Sequence, residues 1–233
     1  MLLVSGYLKN VGGGVHRAVK NSITMTYKSI KHNPYKVVRM FEEEVAEYTG
    51  APYAVAVDSC TNALFLCLKW LNVTDLRVFI PKETYLSVPM SIIHAGGIPV
   101  FEDRKWSGKY RLNPFPIWDA AKMLTSDMYN GEFMCLSFHI KKHLSIGKGG
   151  MILCDDINAV NWFRMARYEG RSAKGYKDDN VNMLGWNMYM TPQQAAHGLA
   201  LMQNYPEHVD DLGENGGYKD LTANDVFSKY ESL

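Results

Sequence analysis

From Tyr35 onward the apolar and polar positions fall into blocks whose period switches between helical and extended. Val37, Val38, Phe41, Val45 and Tyr48 form one face, and Glu42, Glu43, Glu44 and Glu47 form the other. This pattern predicts an amphipathic helix that Gly50 ends. Residues 53–57 (YAVAV) then read as a buried strand and 61–71 as a helix. Strands are expected at 77–80 and 98–101, on either side of a helical 85–95 stopped by Gly96 and Gly97. Further strands are expected at 116–118, 133–138 and 150–154. Helices are expected at 157–168, capped by Asp155 or Asp156, and at 192–203, with Ala196, Leu199 and Ala200 on its apolar face. Residues 1–34 carry no clear period; Gly12, Gly13 and Gly14 read as a turn, since no Gly-Lys-Ser/Thr follows to make a phosphate loop. After Tyr205 the chain is polar and turn-rich until a short amphipathic stretch at 225–230.

Repeated strand–helix alternation predicts an α/β fold, a doubly wound and mostly parallel sheet with helices on both faces. Ligands of such sheets bind beyond the carboxyl ends of the strands. The positions that matter are then 58–61, 82–85, Asp119 and 137–142.

Composition narrows the function classes. The 233 residues carry 25 Lys plus Arg against 24 Asp plus Glu, a net charge of +1, which argues against a nucleic-acid binder relying on a basic field. Hydrophobic content of 47% and charged content of 21% suit a soluble globule of one large or two small domains. No apolar run approaches the roughly 18 residues of a membrane span, and the N-terminus lacks a basic region before an apolar stretch. A cytoplasmic protein is expected, with Cys60, Cys67, Cys135 and Cys154 reduced. No Cys/His spacing suits structural zinc, and His139 and His143 read as packed or pocket-facing, so no metal is expected. Arg164, Arg167 and Arg171 read as a solvated helix face in preference to a nucleotide-diphosphate contact, and Trp106 and Tyr110 as cover for a sheet edge.

The strand-end residues form a chemical set. Asp119 ends a strand, and Lys142 follows one, ahead of the turn Gly147-Lys148-Gly149-Gly150. Ser137 lies five residues before Lys142, Ser59 and Thr61 stand where a strand becomes a helix, and Tyr85 begins another helix. These types suit pyridoxal phosphate. A lysine amine forms a Schiff base with its aldehyde. A buried aspartate keeps the pyridine nitrogen protonated. A helix N-terminus holds a phosphate, and an aromatic ring stacks. Spacing alone leaves ordinary helix capping open as the explanation of Asp119 and the serines.

Five blocks add to this reading. FEEEVAEYTGAPYAVAVDSCTNAL (41–64) resembles the opening of the DegT-like nucleotide-sugar aminotransferases, where a helix and strand lead into S-G-T-x-A-L. IPKETYLSVPMSIIHAGGIPVFED (80–103) resembles that family's next strand–helix–strand, and WDAAK (118–122) its E-D-A-A-Q. SFHIKKHLSIGKGGMILCDD (137–156) is similar to S-F-x-x-x-K-x-L-x-x-G-E-G-G, and GWNMYMTPQQAAHGLALM (185–202) to G-Y-N-Y-R-M-T-x-x-Q-A-A-x-G. The blocks keep the family's order. The resemblance implies the large domain of a fold-type-I pyridoxal-phosphate enzyme over 1–204, with an N-terminal arm at 1–35.

It also implies roles. Lys142 is the Schiff-base lysine and proton shuttle, Asp119 the partner of the pyridine nitrogen, and Tyr85 the stacking ring. Ser137, Cys60 and Thr61 hold the phosphate, and Asn187 reaches the phosphate of a partner subunit, so a homodimer with a shared site is expected. The implied reaction moves an amino group from an amino-acid donor, glutamate first, to a keto sugar on a nucleotide. Departures from the pattern are Cys60 for glycine, Lys122 for glutamine, Lys148 for an acid and Tyr189 for arginine. The family also has another strand–helix unit where this chain has only residues 104–117, and a small C-terminal domain where this chain has 205–233. The tail or a partner is expected to take over that domain's enclosing part. The alternatives are a catalytically reduced relative that binds cofactor or acts through a partner protein, and one component of a hetero-complex.

Overall fold

The computed structural model describes residues 35–230 apart from 173 and 176, so the turn at Gly12, Gly13 and Gly14 and all but the last residue of the arm lie outside the described residues. The first elements are α1 (Lys36–Thr49), β1 (Tyr53–Val57), α2 (Cys60–Trp70), β2 (Arg77–Pro81), α3 (Ser87–Ala95) and β3 (Ile98–Glu102). There follow β4 (Tyr110–Arg111), β5 (Ile117–Asp119), β6 (Phe133–Ser137), β7 (Gly150–Cys154), α4 (Ile157–Ala166) and α5 (Pro192–Met202). Local chemistry sets the boundaries. Gly50 closes α1 in the left-handed region at φ 73°. The side chains of Ser59 and Asp156 cap α2 and α4, and Thr191 with Gln194 forms a capping box on α5.

The α/β architecture stands, but the sheet is mixed rather than mostly parallel in its pairings. Strands β1, β7, β6, β5 and β4 hydrogen-bond in that order, and β2 pairs separately with β3. Phe79 and Asn113 exchange two backbone hydrogen bonds, of 2.7 and 3.1 Å, which sets β2 beside the chain leaving β4. Pairs β5–β6 and β2–β3 are parallel, whereas β1–β7, β6–β7 and β4–β5 are antiparallel. The reversals between consecutive strands, β4–β5 and β6–β7, follow from connection length. A parallel neighbour needs a crossover of about a dozen residues or more, usually a helix. Only 112–116 separate β4 from β5, and 138–149 are spent on the turn that carries Lys142. The two-residue β4 was not foreseen; it lies in the short segment between Asp103 and Trp118.

Helices cover both faces. Val55, Val57, Cys135, Ile152 and Cys154 pack in one core with residues of α2, α3 and α4. Ala54, Ala56, Met134, Leu136, Met151 and Leu153 pack in the other with α1 and α5. This period-two alternation is what sheets buried on both faces require. On α5 the buried face is Ala195, Gly198 and Met202, rotated from the expected one; Ala200 is exposed. The reason is Gly198, where a Cβ would stand 2.5 Å from the Phe41 ring, so the glycine sets the closest approach of α5 to α1.

Two polar expectations are overturned nearby. Glu42 is 2% exposed rather than on a solvated face, and its Oε1 accepts from the Ala56 N–H at 3.0 Å. Arg164, Arg167 and Arg171 have side chains only 26%, 10% and 19% exposed, so they are not a solvated face either. The end of α4 lies against α1, and a buried carboxylate needs such a partner: Arg167 Nη1 donates to Glu42 at 2.5 Å.

After α5 the chain returns across the strand ends. Tyr48 donates its hydroxyl to Pro206 O at 2.8 Å, Leu212 N donates to Lys122 O at 3.1 Å, and Leu221 N donates to Lys82 O at 2.9 Å. The amphipathic stretch at the end is a 3-10 helix, Asp225–Tyr230, whose buried Phe227 packs on Phe101 with ring centroids 5.7 Å apart. Among the described residues no helix is long and apolar enough to cross a membrane.

Candidate active site

Strand ends β5 and β6, the turn into α2 and the loop between β6 and β7 meet around one cavity of about 900 Å3. Of the residues singled out in the sequence, Cys60, Thr61, Tyr85, Asp119, Ser137 and Lys142 all line it. Asn187 does not: it is exposed and donates to Glu169 Oε1 at 2.7 Å.

The turn into α2 is built by side chains. Ser59 Oγ accepts from Asn62 N at 3.2 Å, and Asp58 Oδ1 accepts from Asn62 Nδ2 at 2.6 Å. Asp58 Oδ2 pairs with Lys148 at 3.0 Å, tying this turn to the loop that carries Lys142. Gly150 makes the approach possible, since a Cβ there would lie 2.3 Å from Ser59 C and 2.4 Å from Cys60 N. The Cys60 and Thr61 amides, in the first turn of α2, have no intrahelical acceptor and carry the positive end of the helix dipole. Thr61 and Ser87 hydroxyls meet at 2.8 Å, which brings the start of α3 to the same rim.

Lys142 sits in the loop, where its N–H donates to His139 O at 2.8 Å, Phe138 N to Gly149 O at 2.9 Å and Ile140 N to Gly147 O at 3.1 Å. Burial pulls the Lys142 amine below its ordinary value, against the opposing pull of Asp119 and Cys60. Asp119 is 6% exposed; its Oδ1 accepts from Ala121 N at 3.0 Å and its Oδ2 from the Tyr110 hydroxyl at 2.9 Å. Thr84 Oγ1 meets the same hydroxyl, and since Tyr110 donates to Asp119, Thr84 is the donor. Burial raises the Asp119 carboxyl, while the two hydrogen bonds and Lys142 hold it down. Burial pushes the Cys60 thiol well up, so it is a neutral wall.

Sequence reasoning missed the other side of the cavity. Tyr110 does stand at a sheet edge, in β4 paired along β5, but both Trp106 and Tyr110 also serve the cavity. Trp106 lines the cavity, and Tyr110 holds Asp119. Tyr218, from the tail, accepts from Lys142 Nζ at 3.3 Å, and its ring lies 5.6 Å from Tyr85 and 6.3 Å from Trp106. The Lys122 ammonium stands 5.7 Å from the centroid of that ring. Burial lowers the Lys122 amine and the nearby Lys142 charge lowers it further. The only signal for Tyr218 was an aromatic after two glycines in a polar tail.

Comparison with known proteins identifies the family. The sequence model of the DegT/DnrJ/EryC1/StrS aminotransferase family matches residues 16–114 and 116–215. The spore coat polysaccharide biosynthesis protein SpsC of Bacillus subtilis is 27% identical over 215 residues, 70% of this chain and 55% of that protein. The GDP-perosamine synthase of Escherichia coli is 23% identical over 254 residues, 90% of this chain and 68% of that protein. Among solved structures, Helicobacter pylori PseC, an aminotransferase involved in the biosynthesis of pseudoaminic acid, superposes with a TM-score of 0.61 at 18% identity. That match covers 72% of this chain and 57% of PseC and establishes the fold alone. The chain thus spans between about half and two thirds of these relatives' lengths.

Proposed function

Because this chain belongs to the DegT/DnrJ/EryC1/StrS aminotransferase family, we propose that it binds pyridoxal phosphate in the Lys142 cavity and moves an amino group from an amino-acid donor, glutamate first, to a nucleotide-linked keto sugar. The observation that carries this reading is the meeting of a half-buried lysine, a buried aspartate and an open helix N-terminus in one cavity. The residues present fit the cofactor. The cavity is of ligand size. The Cys60 and Thr61 amides with the Ser137 hydroxyl would hold the phosphate, Tyr85 would face the ring, and Asp119 would keep the ring nitrogen protonated. When bound, pyridoxal phosphate supplies an aldehyde that condenses with amines and a ring that draws electron density from the adjacent carbon.

The chain's own part is positioning and proton handling. Burial leaves the Lys142 amine free at lower pH than an exposed lysine, the state in which it attacks a carbonyl or accepts a proton. Donors from Ala121 and Tyr110 favour the ionised form of Asp119 inside an apolar wall. Residues 205–230 supply Leu212 and Tyr218 to the cavity and would exclude water from it, the part expected of a small C-terminal domain. An exposed Asn187 is in keeping with a contact to a partner subunit, and a homodimer on gel filtration is expected.

The test is borohydride reduction of protein incubated with pyridoxal phosphate, followed by peptide mass mapping, beside Lys142→Ala. The cofactor should be fixed on Lys142 in the wild type and not at all in the variant, whose Schiff-base absorbance band should be missing. An adduct spread over surface lysines in both would sink the proposal. Specific trapping without amino transfer from glutamate to any nucleotide-linked keto sugar would instead favour the non-catalytic, cofactor-binding relative.

A further inference from the structure

Tyr218 reaches the Lys142 cavity from the tail, and it lies beyond residue 215, where the match to the family model ends. Its hydroxyl accepts from Lys142 Nζ at 3.3 Å, and among the described residues no other side chain hydrogen-bonds that amine. The same hydroxyl donates to no side chain or carbonyl among the described residues. A phenol both accepts and donates, so its own hydrogen is left for an oxygen that enters the cavity. Packing fixes the ring. Tyr85 and Trp106 lie 5.6 and 6.3 Å from it, Trp106 within 21° of parallel, and Tyr218 N donates to Asn215 O at 3.1 Å. The Lys122 ammonium stands 5.7 Å from the ring centroid. The other ionisable neighbours of Lys142 are engaged or inert: both Asp119 oxygens accept hydrogen bonds, and the Cys60 thiol is held neutral by burial.

An amine that condenses with a carbonyl must send both of its hydrogens to the carbonyl oxygen, which leaves as water. We propose that Tyr218 is a further catalytic residue of this site, the acid–base group that carries those hydrogens from Lys142 to the departing oxygen. The inference rests on the reading of Lys142 as the amine that takes a carbonyl. First, the Lys142 nitrogen bonds to the carbonyl carbon and the π pair goes to the oxygen; the phenol passes its proton to that oxygen while it takes one from the nitrogen. Next, the carbon–oxygen bond breaks, the phenol protonates the departing hydroxyl, and the nitrogen pair closes the carbon–nitrogen double bond. The phenolate then takes the last nitrogen proton. One water has left, Tyr218 is a phenol again, and no electrons have been gained or lost. Burial pushes the Tyr218 phenol up to about 12, so it remains a hydroxyl through neutral pH, able to give and take a proton within one transfer. The Lys122 cation beside the ring favours the brief phenolate. Because Tyr218 belongs to the tail, the group that moves the protons arrives with the segment that excludes water.

Stopped-flow absorbance of the cofactor-free full chain mixed with pyridoxal phosphate gives the forward and reverse rates of condensation at Lys142. A group that only moves protons lowers one barrier shared by both directions, so it changes both rates alike and leaves their ratio alone. Tyr218→Phe, which keeps the ring, should therefore slow both rates roughly tenfold or more and leave the equilibrium constant at the wild-type value. Rates equal to those of the wild type would overturn the inference. So would a change confined to one direction, with a shifted equilibrium constant, which is the mark of a ring that packs on the ligand and moves no proton. A wild type that forms no Schiff base on Lys142 would overturn the reading of Lys142 and this inference with it. The two failures are distinguishable, because the earlier ones leave the wild type condensing at Lys142 and the last does not.

Discussion

The Lys142 cavity has a floor and a roof made in different ways. The floor is strand ends and the turns that leave them: Asp119 on β5, Ser137 on β6, the Ser59–Thr61 turn after β1 and the Lys142 loop before β7. Each is held by sheet register and short-range backbone bonds. The roof is Trp106, Leu212 and Tyr218, from two segments with almost no regular structure. Long-range side-chain bonds hold it: Trp106 Nε1 to Glu83 O at 2.9 Å, Ser107 Oγ to Asp211 at 2.9 Å and Asn215 Nδ2 to Glu83 at 2.5 Å. The groups that need angstrom precision stand on the rigid part, and the groups that enclose them stand on a part able to open without unfolding the sheet.

The strongest way to break this comparison is to cut the roof's anchor. Phe227 is 1% exposed, and Phe227→Ala should cost about 3–5 kcal/mol of tail docking. Hydrogen exchange should then speed up across 210–227 and stay slow in β1, β6 and β7. An equal loss of protection in those strands would mean that roof and floor unfold together. Next in size is the floor's own weak point. Gly150→Ala drives a Cβ into the Ser59–Cys60 backbone, and overpacking of this kind costs roughly 1–3 kcal/mol. Here the urea midpoint should fall for the whole chain, with tail and strands changing together.

The floor was legible in the sequence because its residues lie at fixed offsets from strongly periodic elements. YAVAV fixes where Ser59 and Thr61 fall, and FMCLS fixes Ser137. The roof was not legible, because Tyr218 and Trp106 are placed by contacts far apart in the chain that no local period encodes; Lys142 Nζ donates to Tyr218 across 76 positions, and Trp106 N donates to Asn215 Oδ1 at 3.2 Å across 109. The same limit hid the burial of Glu42 and Arg167. A four-residue acidic cluster reads as solvated until a helix from 125 positions away lies over one member. The sheet's mixed pairing failed for a different reason: strand–helix alternation is silent about a connection of five residues that turns β5 back along β4.

A gentler test touches the seam between the two parts. Tyr110, on β4, donates to Asp119 and takes the Thr84 hydroxyl, so Tyr110→Phe should cost on the order of 1 kcal/mol. Its sign with pH is fixed. Asp119 has a folded pKa above its unfolded value, so its contribution is most favourable below the unfolded value and is lost as pH rises through the folded one. Tyr110 limits that loss. The deficit of Tyr110→Phe, read from urea midpoints between pH 4 and pH 8, should therefore be greatest near neutrality and shrink on acidification. A deficit independent of pH would mean that the hydroxyl acts through packing alone.

The smallest expected change lies in the reactivity of one amine, and it separates floor from roof most finely. Asp119 raises the Lys142 pKa against the lowering due to burial, whereas Tyr218 meets Lys142 only through a hydrogen bond of 3.3 Å. Trace acetylation of cofactor-free protein across pH, read at the peptide carrying Lys142, gives the pH at which that amine becomes free. In the wild type the midpoint should lie below the 10.5 of an ordinary lysine. Asp119→Asn removes the one carboxylate that favours the ammonium, so the midpoint should move to still lower pH. Tyr218→Phe should leave it in place, because a neutral phenol pushed up to about 12 brings no charge to the pair. A midpoint that follows Tyr218 and ignores Asp119 would reverse the assignment, making the roof, rather than the strand ends, the part that tunes the lysine.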